Sequence, residues 1–433
     1  MDLTLVAITG IILLLLLMAV RVPISYGMIL LGFLGVVYIR NWDAAVQLLA
    51  SDMWAEFSSY TLTAIPAFIF MGNLAFKSGL SDRLYKTANA WIGHWPGGLA
   101  STTILASAGF GAICGSGVAA TATMTTVSMP EMKKYDYDMG FSGGMLAVAG
   151  TLGIILPPSL IMIIVATTVG ESVTKLFIAG IIPGLFLTGC MLALTFWMCW
   201  RNPELGPPAQ RSTWAVRFKS LSSVGETLLI FALVMGGIYL GWFTATEAGA
   251  IGAFGMFVSA MARRQLTWES FRDTVTDTAR LSTMVVLLIA AGMVFGKFIT
   301  FTRLPFTLVE WVEAMNMSTF WVLMAMIIIY VIGGMFIDSV AFLVLSLPIF
   351  FPLATSLGYD PIWFLLMTTV VTALGSVTPP VGVHVFVVAS IHQDVPLSKI
   401  FRGSNIFLIT YVVLIAVMIA FPDLFTGIVK IVR

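Results

Sequence analysis

What this sequence lacks most is charge. Asp, Glu, Lys and Arg make up 10% of its 433 residues, while 59% are hydrophobic. A soluble protein of ordinary composition carries about a quarter charged residues. The deficit excludes a large soluble domain and leaves an integral membrane protein with many apolar spans. The apolar stretches run well past ten residues, which excludes a barrel of short alternating strands and leaves an all-α polytopic bundle. A net charge of +1 gives no field that would draw nucleic acid. Cysteine and histidine are scarce, at three each. Cys114, Cys190 and Cys199 fall in apolar segments without metal-ligand spacing, so they read as small buried hydrophobes and no structural disulfide is expected. His-Glu-x-x-His, a phosphate loop ending in Gly-Lys-Ser/Thr and Gly-x-Ser-x-Gly are also missing, so nothing marks an enzyme.

Apolar spans fall at roughly 3–20, 23–39, 60–76, 139–170, 176–200, 222–241, 244–262, 281–300, 361–391 and 403–421. The first is no secretory signal: Asp2 precedes it and Arg21 follows, so it reads as a retained helix with its N-terminus outside. Two more stretches, 98–130 and 318–352, are too long for one crossing and too short for two. Their centres, Gly115-Ser116-Gly117 and Ile337-Asp338-Ser339, are Gly-rich or polar, which suits re-entrant hairpins covered by protein. With ten crossings and two hairpins, 16 of the 22 basic residues fall in cytoplasmic loops. Only Arg40, Lys175, Lys297, Arg303, Lys430 and Arg433 do not, as the positive-inside rule requires. The Pro-rich stretch 201–221 reads as a cytoplasmic linker.

That linker separates two copies of one pattern. Leu152-Gly153 followed by Leu156-Pro157-Pro158 returns 222 residues later as Leu374-Gly375 followed by Thr378-Pro379-Pro380. The same offset superposes Ser116 on Asp338, Pro130 on Pro352 and Asp138 on Asp360. Five crossings precede the second copy, so two inverted repeats are expected, 1–200 and 222–433. Each holds one hairpin and one broken helix (139–170 and 361–391). Matching Gly- and Pro-broken membrane segments point to the binding site of a secondary transporter.

A helix interrupted in mid-membrane exposes carbonyls at one broken end and amides at the other. Carbonyls and hydroxyls suit a small hard cation, and amide ends suit a carboxylate. Gly115-Ser116-Gly117 is expected to meet Thr151 to Ser159, and Asp338-Ser339 to meet Gly375 to Thr378, giving two cation sites beside one anion site. Asp338 reads either as a cation ligand or as the N-cap of the following limb, and the two roles can coexist. Lys297 reads as a snorkelling side chain and His384 as a packed histidine. Thr244 and Glu247 have capping-box spacing. Trp42, Trp54, Trp91, Trp95, Trp242, Trp311 and Trp363 read as interfacial belts.

Ile65 to Gly72, Gly109 to Ala119, Gly150 to Ser159, Thr244 to Ala248 and Thr378 to Gly382 resemble the large membrane subunit of tripartite ATP-independent periplasmic (TRAP) transporters over nearly the whole chain. The resemblance implies an elevator-type inverted-repeat fold in the bacterial inner membrane. It also implies sodium-driven import of organic anions such as C4-dicarboxylates, other organic acids or sialic acid. The implied partners are a small four-helix membrane subunit and a periplasmic solute-binding protein. Carried onto this chain, sodium falls at Gly115 and Ser116 facing Gly153 and Pro157, and at Asp338 and Ser339 facing Gly375 and Thr378. The anion is expected at Gly117, Ser159, Val340, Pro379 and Pro380. Cys114 stands where the family pattern leads one to expect serine, so a side-chain oxygen is lost there. The competing reading is a stand-alone sodium or proton/dicarboxylate symporter.

Overall fold

The computed structural model describes residues 3–431; Asp2, Arg433 and the side chain of Lys430 lie outside the described residues. Every regular element among the described residues is helical. The first half runs α1 (Leu3–Ala19), α2 (Ile24–Ile39), α3 (Trp42–Phe57), α4 (Ala64–Lys77), α5 (Leu80–Ile92), α6 (Gly98–Cys114), α7 (Gly117–Lys134), α8 (Met139–Gly150), α9 (Leu152–Ile155), α10 (Leu160–Val169) and α11 (Val173–Arg201). The second runs α12 (Trp214–Tyr239), α13 (Ala245–Ala262), α14 (Trp268–Phe301), α15 (Leu304–Ala314), α16 (Thr319–Phe336), α17 (Ser339–Ser356), α18 (Pro361–Gly375), α19 (Val383–Ile391), α20 (Leu397–Ala420) and α21 (Pro422–Ile431). By length and composition seven helices can cross a membrane singly, nine if two bent pairs each count as one span. This is a multi-pass membrane protein.

The 222-residue offset holds for secondary structure. Shifted by it, both ends of α7 coincide with those of α17, and the starts of α8 and α18 coincide. The caps recur as well. Asp138 accepts from Phe141 N at 2.6 Å and Asp360 from Trp363 N at 2.9 Å, each satisfying an orphan donor of the first turn. Both diproline bonds, Pro157-Pro158 and Pro379-Pro380, are cis. Thr244 and Glu247 form the capping box that their spacing announced.

Packing exchanges equivalent helices between the halves. Helix α4 lies on α13 and α2 on α14; α8 lies on α20 and α11 on α18; α7 lies on α19 and α10 on α17. At the α8–α20 crossing the backbones touch. A Cβ at Gly144 would overlap the backbone of Gly403 and Ser404, and one at Gly403 would overlap Gly140 O. Small residues let membrane helices approach this closely, where van der Waals contact replaces the hydrophobic drive available in water.

Several elements depart from the sequence expectation. The span at 60–76 is the second limb of a bent pair that begins with α3, kinked by 52° near Ser58-Ser59. Its equivalent, α14, is one 34-residue helix, longer than the expected 281–300 because its charged first third contributes nothing to hydropathy. Helices α5 and α15 also escape a hydropathy reading; α5 carries Asp82, Arg83 and Lys86. Helix α12 begins at Trp214, inside the stretch read as linker. Lys297 has a partner, with Nζ 3.1 Å from Asp52 Oδ1. Trp363 is no belt residue: it is buried and its Nε1 donates to Met418 O at 3.0 Å.

Candidate functional site

The first hairpin turns over two residues. Gly115 ends α6 with φ +63°, a left-handed conformation that glycine adopts freely. Ser116 then takes extended backbone and caps α7, its Oγ accepting from Ala119 N at 3.4 Å. This apex is sewn to the broken helix: Leu160 N, the first amide of α10, donates to Gly115 O at 3.1 Å. The fit is close, since a Cβ at Gly115 would stand 2.9 Å from Pro158 O and one at Gly111 would stand 2.7 Å from Gly153 Cα. Sequence reasoning expected the Gly115–Gly117 apex to meet Thr151 to Ser159, and it does. Pro157 sits in the break, and the Ser159 hydroxyl is spent on Ile154 O at 2.6 Å.

At the second hairpin the apex is Ile337-Asp338. Asp338 caps α17 through one oxygen, Oδ1, which accepts from Val340 N at 3.0 Å and Ala341 N at 3.3 Å. The other oxygen, Oδ2, has no hydrogen-bond partner among the described residues, and the side chain is exposed. Ser339 is buried beside it. Contact with the broken helix runs through Gly375, whose Cβ, if present, would stand 2.6 Å from Val331 O and 2.8 Å from Gly334 Cα. Thr378 turns its hydroxyl back to Leu374 O at 2.7 Å.

Both apices line one cavity of about 510 Å³. Of the residues singled out from sequence, it gathers Cys114, Gly115, Ser116, Gly117, Asp338, Ser339 and Val340. Gly153, Pro157, Ser159, Gly375, Thr378, Pro379 and Pro380 are not part of its wall. The wall also includes residues that sequence reasoning passed over. Asn73 and Lys77 come from α4 and Asp277 from α14, while Ser376 belongs to the Gly375 to Thr378 stretch expected at the second apex. Asn73 Nδ2 donates to Thr278 Oγ1 at 3.1 Å, closing the wall between α4 and α14. A polar side chain within the apolar run of α4 was the available signal for Asn73. His384 also lines the cavity and is buried, as read from sequence, with Nδ1 3.4 Å from Ser376 O.

The two ends of this cavity differ in charge. A neutral serine caps α7, and a carboxylate occupies the equivalent place on α17. An anion is favoured at the first end and a cation at the second.

Comparison with known proteins follows the same outline. Residues 11–424 match the family described as "Tripartite ATP-independent periplasmic transporter, DctM component". The C4-dicarboxylate TRAP transporter large permease protein DctM of Pseudomonas aeruginosa is 33% identical, covering 88% of this chain and 90% of its own. The 2,3-diketo-L-gulonate TRAP transporter large permease protein YiaN of Escherichia coli is 30% identical, covering 94% and 95%. Among solved structures, the YdaH transporter of Alcanivorax borkumensis superposes with a TM-score of 0.65 at 14% identity, covering 88% and 90%, which shows a shared fold.

Proposed function

Because the chain belongs to the DctM-component family of tripartite ATP-independent periplasmic transporters, we propose that it is the transport subunit of a sodium-coupled importer of organic anions. Its setting is the bacterial inner membrane, with the N-terminus outside. The observation that carries the reading is the single cavity walled by two equivalent hairpin apices, one neutral and one acidic. A coupling cation at the acidic apex would be held by oxygens, the free Asp338 Oδ2 and nearby carbonyls and hydroxyls, which is the donor set sodium accepts. Bound there, it neutralises Asp338 and so removes the repulsion that an organic anion entering between the apices would meet. Anion and cation thus load better together than apart, which is the thermodynamic basis of symport.

Helices α6 to α10 with α16 to α19 form the moving body in this reading, since each hairpin packs on the other repeat's half-helix. Helices α1, α2, α4, α12, α13 and α14 form the frame. Lys77 and Asp277, both cytoplasmic in the proposed topology, line the cavity, and this supports reading the arrangement as inward-facing. Sliding the moving body along the frame carries both apices to the other face. The proposed partners are a small membrane subunit that widens the frame and a periplasmic binding protein that delivers the anion.

Uptake of a labelled organic anion into liposomes tests the proposal. It should need an inward sodium gradient and both partners. Sodium-dependent uptake by this chain alone would establish the stand-alone symporter instead, and uptake indifferent to sodium would refute the coupling.

A further inference from the structure

One polar atom in the wall of the cavity is buried and has no hydrogen-bond partner among the described residues. His384, on α19 of the second repeat, is 2% exposed, and its Nε2 has no hydrogen-bond partner among the described residues. That nitrogen is directed at the first turn of α7, where a Cβ at Gly117 would stand 2.7 Å from it. The α7 terminus is itself unfinished. Ala119 N is taken by Ser116 Oγ, whereas the amides of Gly117 and Val118 have no partner among the described residues. At the equivalent terminus of α17, Asp338 Oδ1 takes two amides, those of Val340 and Ala341, where Ser116 Oγ takes only one. Two free amides and one orphaned imidazole nitrogen therefore meet at one end of the cavity.

The tautomer fixes what that nitrogen does. Ser376 O can only accept, so its contact with Nδ1 at 3.4 Å requires the proton on Nδ1. Nε2 is then an acceptor, facing the first turn of α7. Resting on the reading above, we infer that the transported anion is a 2-hydroxy acid. Its carboxylate sits on the Gly117 and Val118 amides, and the hydroxyl on the adjoining carbon donates to His384 Nε2. A plain dicarboxylate leaves Nε2 buried and unpaired, which a site built for a donor penalises. His384 is thus a specificity-determining residue contributed by one repeat to the helix terminus of the other.

Equilibrium binding in saturating sodium, with the purified chain and its partner membrane subunit, tests this with acid pairs that differ by one hydroxyl: lactate and propionate, malate and succinate, gluconate and 2-deoxygluconate. In pairs that bind, the hydroxylated member should bind about tenfold tighter. The gap should close in His384→Leu and persist in His384→Asn, whose carbonyl still accepts. With the unaltered protein, 2-methoxypropionate should bind like propionate rather than lactate, a control that survives misfolding of any variant. Equal affinity within every pair, or a gap that outlasts His384→Leu, would overturn the assignment and leave sodium-coupled anion transport standing. Failure of every acid to bind would sink the organic-anion reading and this inference with it.

Discussion

Replacing Asp338 by asparagine separates the two duties its carboxylate can perform. Oδ1 caps α17 through the amides of Val340 and Ala341. Asparagine keeps an oxygen there, and Asn and Asp cap about equally well. The loss in folding is then confined to the interaction of the charge with the helix dipole, about 0.3–1 kcal/mol and at the low end for an exposed group. A loss of 1 kcal/mol lowers Tm by about 2–4 °C in a 150–250-residue protein, so a drop of no more than about 2 °C is expected. Cation binding loses a full charge. Two unit charges 4 Å apart attract by about 1 kcal/mol in water and about 4 at an effective dielectric of 20. Asp338 is exposed, which favours the lower part of that range, about 1–2 kcal/mol, or a factor of about 5–30. The sodium concentration for half-maximal uptake should rise by that factor while Tm holds. Asp338→Ala, which also removes the cap, should add about 0.5–2 kcal/mol of instability. Unchanged sodium dependence in Asp338→Asn, or a Tm drop as large as that of Asp338→Ala, would reduce Asp338 to a cap.

Three further expectations follow from geometry. Gly144→Ala would drive a methyl into the α20 backbone, which cannot rotate away. Overpacking of about 1–3 kcal/mol should lower Tm, while Gly189→Ala, with open space around it, should leave Tm unchanged or raised. The Lys133 ammonium 2.6 Å from Asp394 holds that carboxyl below the usual carboxylate range. A depressed pKa contributes stability above the unfolded value of about 3.9 and loses it as pH falls through the folded value. The Tm difference between Asp394→Asn and the parent should therefore hold above about pH 5 and narrow as pH falls below about 4, and a gap that does not narrow in acid would contradict the pairing. A cysteine at position 116, with the native cysteines replaced, should react with an impermeant maleimide from the cytoplasmic face here and from the other face after transport. Labelling from one face under every gradient would remove the sliding step.

The sequence disclosed those features whose cause is local. Gly115 and the two diprolines break helices wherever they stand, and Asp138, Asp360 and Thr244 cap them by the same short-range bonds. Elements that balance polar and apolar faces were hidden, because α3 and α5 show little to a hydropathy window. Trp363 looked interfacial by position, but only the folded chain brings Met418 O to its ring nitrogen. The cavity wall was least visible: Asn73 meets Thr278 across 205 residues, and His384 reaches Gly117 from the opposite repeat. No spacing rule records such meetings.

The contrast between α14 and its kinked counterpart has a mechanical consequence. At 1.5 Å per residue, 34 residues extend roughly 50 Å, whereas the hydrocarbon layer is about 30 Å thick. Some 20 Å of rigid rod, including the turns that bear Glu269, Arg272 and Asp273, then exceeds that thickness and is taken up by tilt or by extension past the hydrocarbon, while the other copy folds the same length over at Ser58-Ser59. A bilayer made thicker or thinner would be felt unequally by these two ends, so duplication has produced a molecule whose two surfaces are mechanically distinct.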